Sequence, residues 1–181
     1  MKKIYPHTKN NNKLNTKMHR SNFGEGVYLD HAATTPVDRE VMKVMQPYFS
    51  QKFGNPMSIH SFGREAKIVV DKARQEIADF LGCDATEIIF TSGATESNNS
   101  VIKGVIRHHY LRSGKKIKPH IIITQFEHHC LLNACKMAER EGLAEVTYLP
   151  VYKDGVVKLS DLKKAIKKNT ILISVMYVSI K

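Results

Sequence analysis

The sequence predicts an α/β fold from three observations. Short apolar runs of strand character alternate with amphipathic helical periods, glycines fall where those periods stop, and the apolar runs lack the in–out alternation of a sheet wet on one side. That order implies right-handed crossovers and a mostly parallel sheet with helices on both faces. Asp38, close behind Pro36, is an N-cap residue for a helix over 38–46, with Val41, Val44 and Met45 on one face. The Gly-, Asn- and Pro-rich string FGNPMSIH then breaks the chain. The clearest amphipathic segment follows: Ser61 as cap, Ala66, Val69, Val70, Ala73, Ile77, Phe80 and Leu81 at helical spacing, and Gly82 as the stop. Residues 87–90 read as a buried strand, 91–94 as a turn and 95–112 as a helix. Ile121 to Thr124 is a second buried strand, with a helix over 130–140 ended by Gly142. Residues 146–149 form a third strand, 160–168 a short helix capped by Ser160, and 171–178 a last strand, apolar on both faces and expected in the interior of a fuller sheet than these residues supply.

Composition narrows the class further. Of 181 residues, 42% are hydrophobic and 25% charged, the mix of a chain that buries a core. The longest apolar-leaning run, 171–180, falls short of the roughly 18 to 20 residues of a membrane-spanning helix. An odd count of 3 cysteines argues against a disulfide-stapled secreted scaffold and for a reducing compartment, the cytoplasm by default. The net charge of +11 suggests nucleic acid until it is located. Residues 1–26 carry six Lys/Arg against one acid and residues 151–181 seven against two, while the stretch between them is almost neutral. Charge confined to the ends is a solvated-tail pattern, so nucleic acid is not the expected partner. The Lys- and Asn-rich residues 1–26 read as a disordered basic leader without a secretory h-region.

In a parallel sheet, ligands bind where strands hand over to helices at their carboxyl ends. The string IIFTSGATESNN empties a strand through Thr91, Ser92 and Gly93 straight into a helix. Unpaired amides at Ala94 and Thr95, the positive end of the helix dipole and nearby hydroxyls suit a phosphate, and Gly93 lacks the Cβ that would hold the backbone away. A merely well-capped helix explains the same turn. Neither GxxxxGK[ST] nor GxGxxG is present, so nucleotide loops are unsupported. After the next strand, His128 and His129 stand at the same edge, where an imidazole can stack on an aromatic ligand or handle protons; a polar helix start is the plainer alternative. Glu127, His128, His129 and Cys130 are too crowded along the chain to converge on zinc, so no metal is expected. Cys83, Cys130 and Cys135 read as small buried hydrophobes.

The strings YLDHAATTPVD, FGNPMSIHSFGREAK, EIIFTSGATESNN, FEHH and TILISVMYV, in this order, resemble the amino-terminal part of a cysteine desulfurase, a pyridoxal-phosphate enzyme of the class V aminotransferase family. The resemblance covers everything after the leader. It implies a fold-type I transferase with an incomplete mostly parallel sheet, 27–60 belonging to a small-domain or interface segment and 61–181 beginning the large cofactor-binding domain. It implies pyridoxal 5'-phosphate as cofactor, its phosphate at Ala94 and Thr95 and its ring under His128. The implied reaction takes L-cysteine to L-alanine and leaves enzyme-bound persulfide sulfur for iron–sulfur cluster or thio-cofactor synthesis. Homodimers, and a sulfur-acceptor scaffold protein as partner, come with the same resemblance. A selenocysteine lyase or an aminotransferase of the class, and a non-catalytic binding protein, are the alternatives. The family's Schiff-base lysine segment and mobile catalytic cysteine have no counterpart in these 181 residues, so the chain alone is expected to be an inactive fragment.

Overall fold

The computed structural model describes residues 27–114 and 116–177, so the expected leader over 1–26 and the tail of the last strand lie outside the described residues. The chain divides into two compact units between Phe53 and Gly54. In the first, α1 (Arg39–Met45) starts where the Asp38 carboxylate accepts the Glu40 amide at 2.8 Å, and a single 3-10 turn over Gln46–Phe49 follows. Asp38 is thus the cap its residue type predicts.

The second unit opens with α2 (Ser61–Leu81), which ends on Gly82 in the left-handed region at φ 69°. Its cap is His60 rather than the expected Ser61: the His60 Nδ1 accepts the Gly63 amide at 3.3 Å. A side chain at Gly63 would run into the carbonyls of Asn55 and Ser58, so the loop preceding the helix depends on its absence. Next come α3 (Ala94–Ser113), β1 (His120–Thr124), α4 (His129–Arg140), β2 (Glu145–Leu149), α5 (Leu159–Ala165) and β3 (Thr170–Ser174).

The three strands are parallel in the order β2-β1-β3. The chain passes from β1 through α4 to β2 on one side, then returns through α5 to β3 on the other. This reversal makes β1 the central strand and creates a switch point at the carboxyl ends. All five residues of β1 are buried, as a strand with neighbours on both edges and cover on both faces must be. Ile121 and Ile123 pack with Ile102 and Ile106 of α3 and with Leu131, Cys135 and Ala138 of α4. Ile122 points to the opposite face and is equally inaccessible.

At the amino ends of the strands, the wholly buried His120 bridges the sheet. Its Nδ1 lies 2.8 Å from the Thr170 hydroxyl on β3 and its Nε2 2.8 Å from the Thr147 hydroxyl on β2. Both ring nitrogens are thereby satisfied, the condition under which an imidazole can be buried at small cost.

Three further expectations need correction. Residues 87–90 are not a buried strand: a 3-10 turn takes Ala85–Glu87, Ile89 is 81% exposed, and none of the three paired strands adopts the extended segment. A strand exists only where a second backbone takes its N–H and C=O groups; here the Ile88 carbonyl accepts instead from the Arg74 guanidinium, which also lies 4.7 Å from the Phe90 ring centre. The short helix begins at Leu159 behind Lys158, with no side-chain cap, and stops at Ala165, so Ser160 lies inside it. Among the described residues the last strand is an edge of the sheet and only partly buried, with a one-residue bulge against His120 and Ile121, the open side that a fuller sheet is expected to cover. Cys130 is half-buried and hydrogen-bonded, not a core hydrophobe, whereas Cys135 is fully enclosed.

Candidate functional site

The carboxyl edge of the sheet gathers the starts of α3 and α4. Gly93 adopts φ 155° and ψ −179°, a conformation costly to any residue with a Cβ, and turns the chain from Thr91 and Ser92 into α3. The first helical hydrogen bond runs from the Ser97 amide to the Gly93 carbonyl at 3.1 Å. The amides of Ala94, Thr95 and Glu96 therefore stand outside the helical ladder at the positive end of a 20-residue helix. No side chain caps them, and both Ala94 and Thr95 are exposed. Such a cradle is free to take an anion.

Hydroxyls and one carboxylate shape its rim. Thr91 and Ser97 hydroxyls meet at 2.7 Å, closing the turn upon itself. The Glu96 carboxylate accepts both the Ser92 amide and the Ser92 hydroxyl at 2.7 Å. The Ser92 amide, and after it the hydroxyl, hold the Glu96 carboxyl below its ordinary value. The cradle thus opens beside a fixed negative charge that an incoming phosphate has to face.

His128 is the N-cap of α4 and is exposed at the same edge. Its Nδ1 accepts the Cys130 amide at 3.2 Å and lies 3.0 Å from the Cys130 sulfur. The same sulfur accepts from Nδ2 of Asn98, one turn into α3, at 3.0 Å. A single thiol therefore joins the helix carrying Ala94 and Thr95 to the imidazole of His128. His129 follows in α4, its ring edge-on to that of His128 at 6.3 Å between centres.

Beneath His128 sits a buried carboxylate. Glu127 is 5% exposed; its Oε1 accepts from the Met176 amide at 2.8 Å and from the Thr124 hydroxyl at 3.3 Å. These bonds tie the exit of β1 to the exit of β3 and set the shoulder on which His128 stands. Thr95, Cys130 and Asn133 are also among the residues lining a mostly apolar groove of about 770 Å3 between α3 and α4. Among the described residues, no group of three or more His, Cys, Asp or Glu converges as metal ligands.

The predicted residues Ala94, Thr95 and His128 thus lie along one edge. Sequence reasoning missed Asn98, Cys130 and the bonds of Glu127. Their partners are 32 and 49 positions away, and no local pattern announces a contact of that span.

Parallel strands with two helix starts at the switch point define an α/β fold that takes ligands at its carboxyl edge, the architecture that the solved fold-type I transferase relatives share. The relatives agree. Residues 27–180 match the aminotransferase class-V family, and the chain belongs to it. Over 151 residues it is 52% identical to a protein named cysteine desulfurase IscS from Dictyoglomus turgidum, covering 83% of this chain and 37% of that one. It is 50% identical over 157 residues to a mitosomal cysteine desulfurase from Encephalitozoon cuniculi, covering 84% and 34%. Among solved structures, one described as SspA in complex with cysteine superposes with a TM-score of 0.76 at 39% identity, over 84% of this chain and 42% of that one. A NifS-like protein gives 0.74 at 39% identity, over 81% and 39%. The chain spans little more than a third of the curated relatives it matches.

Proposed function

We propose that these residues form the cofactor-gripping part of a cysteine desulfurase, with the α3 cradle holding the phosphate of pyridoxal 5'-phosphate and His128 covering its ring. The observation that carries this reading is the convergence of three unladdered amides and an exposed imidazole at one edge, joined through one cysteine. The residues fit the group: Gly93 has no atom within 4 Å of where a Cβ would stand, and the amides of Ala94 and Thr95 lie open. When bound, the cofactor supplies a ring that withdraws electrons from the α-carbon of an amino acid.

The chain's own residues do the rest of the local work. The amides of Ala94 and Thr95 orient the anionic end, the Thr91–Ser97 pair keeps the turn closed, and Glu127 fixes the shoulder of His128. With Nδ1 engaged by the Cys130 amide, His128 has Nε2 left for moving a proton. The substrate of this reading is L-cysteine, its product a persulfide destined for iron–sulfur cluster or thio-cofactor synthesis, and its partners a second copy of the chain and a sulfur-acceptor protein. The domain assignment of 27–60 to a small-domain segment and 61–181 to the large domain belongs to the same reading, as does a cytoplasmic location. Among the described residues, no helix is long and apolar enough to cross a membrane.

Titration of the 181-residue chain with pyridoxal phosphate, followed by absorbance, tests the site. Inorganic phosphate should compete, and His128→Ala should weaken binding by about two- to tenfold, the range of one ring-stacking contact. Binding indifferent to both phosphate and His128→Ala would sink the assignment. Supplied with cofactor and L-cysteine, the chain alone should release no alanine, since none of its lysines lies in the motif the family uses.

A further inference from the structure

We propose that Cys130 is a positioning residue: its backbone amide keeps the His128 proton on Nε2, and its thiol, backed by Asn98, holds the ring in place. The inference draws its functional meaning from the ring-covering role given to His128 above.

The argument runs from the one donor whose direction is fixed. The Cys130 backbone amide donates and cannot accept, so at 3.2 Å from His128 Nδ1 it requires that nitrogen to carry a lone pair. A neutral imidazole with a bare Nδ1 bears its hydrogen on Nε2. The Cys130 sulfur lies 3.0 Å from the same Nδ1, and its S–H donates in the same sense. Asn98 Nδ2 donates to that sulfur at 3.0 Å, leaving the thiol hydrogen directed at the imidazole. The bonds thus share one polarity, from the first turn of α3 to the ring at the start of α4.

Two consequences follow. The ring is held at one nitrogen by two donors that share its single lone pair in a three-centre bond, which restricts its swing about the χ angles while leaving the Nε2 side open. Displacement of α3 is also transmitted to His128 through the sulfur, because Asn98 stands one turn along the helix that presents Ala94 and Thr95. Anion binding at the cradle and the orientation of the imidazole are therefore coupled. Serine can reproduce the donor and the acceptor at this position; alanine reproduces neither.

The test is nitrogen NMR of the 181-residue chain labelled with 15N-histidine, at mildly alkaline pH. The His128 signals should report a bare Nδ1 and a protonated Nε2 as one tautomer. Cys130→Ala should shift the Nδ1 signal away from that of a nitrogen accepting two bonds and weaken pyridoxal phosphate binding by about three- to tenfold, while Cys130→Ser restores both. A protonated Nδ1, a mixture of tautomers, or a Cys130→Ala spectrum identical to the parent overturns the proposal. Should Cys130→Ala fail to fold by circular dichroism, Asn98→Ala keeps the thiol in place and should move the Nδ1 signal in the same direction by less; no movement overturns it. The cofactor separates the two levels. A locked tautomer whose signals ignore added pyridoxal phosphate leaves the inference standing and removes the functional reading, whereas cofactor binding to an unlocked ring does the reverse.

Discussion

Strand β1 is an isoleucine-rich core run and helix α2 the clearest amphipathic segment of the chain, and their apolar residues meet opposite fates. Every residue of β1 is buried, whereas of the 21 residues of α2 only Gly63 and Ala78 are; Ile68, Phe80 and Leu81 stay 67%, 88% and 61% exposed. A strand cannot exist without neighbours, so its burial comes with its formation. A helix of this length satisfies its own backbone, so its hydrogen bonds do not require a neighbour. An apolar stripe in sequence therefore marks a face built for cover without saying what supplies it.

The sharpest way to break that comparison is a pair of truncations. Ile122→Ala in β1 should cost about 2–5 kcal/mol, and Ile68→Ala on α2 no more than about 0.5 kcal/mol, both read from urea unfolding of the 181-residue chain. Equal losses would show that α2 is covered in solution. A second prediction probes the buried side alone. The His120 pKa is lowered, first by burial and then by Lys167, with Glu145 opposing. The unfolded chain thus binds the proton more readily, so stability is intact above about pH 6.5 and declines as the pH falls below it. The urea midpoint should drop between about pH 7.5 and pH 5.5 by less in His120→Asn than in the parent; identical slopes would acquit the imidazole. Removing its partner in Thr147→Val should cost about 1–3 kcal/mol at neutral pH. The smallest effect belongs to the exposed edge: Glu96→Gln removes the charge beside the cradle and should tighten phosphate or pyridoxal phosphate binding about two- to fivefold at low salt. Unchanged affinity would mean that the anion sits away from that carboxylate.

Where local chemistry decides, the sequence was readable. Asp38 as a cap, Gly82 as a stop and the Gly93 turn depend on residue types and a few neighbours, and each stands where the pattern puts it. The segment 87–90 shows the limit, because its pattern suits a strand but only a partner backbone makes one. Ser61 and Ser160 show another: the neighbouring His60 and Lys158 take the cap positions. In the site, Ala94, Thr95 and His128 could be named because each follows a strand at a turn, while Cys130 looked like any small hydrophobe until Asn98 arrived from another helix.

His120 spans all three strands at one end of the sheet, and Glu127 fastens β1 to the backbone beyond β3 at the other. The strands cannot slide by a register step without stripping hydrogen bonds from two enclosed ionisable groups. The platform under the cradle is consequently stiff along its length. Any yielding that ligand entry demands has to come from the exposed helix starts above it.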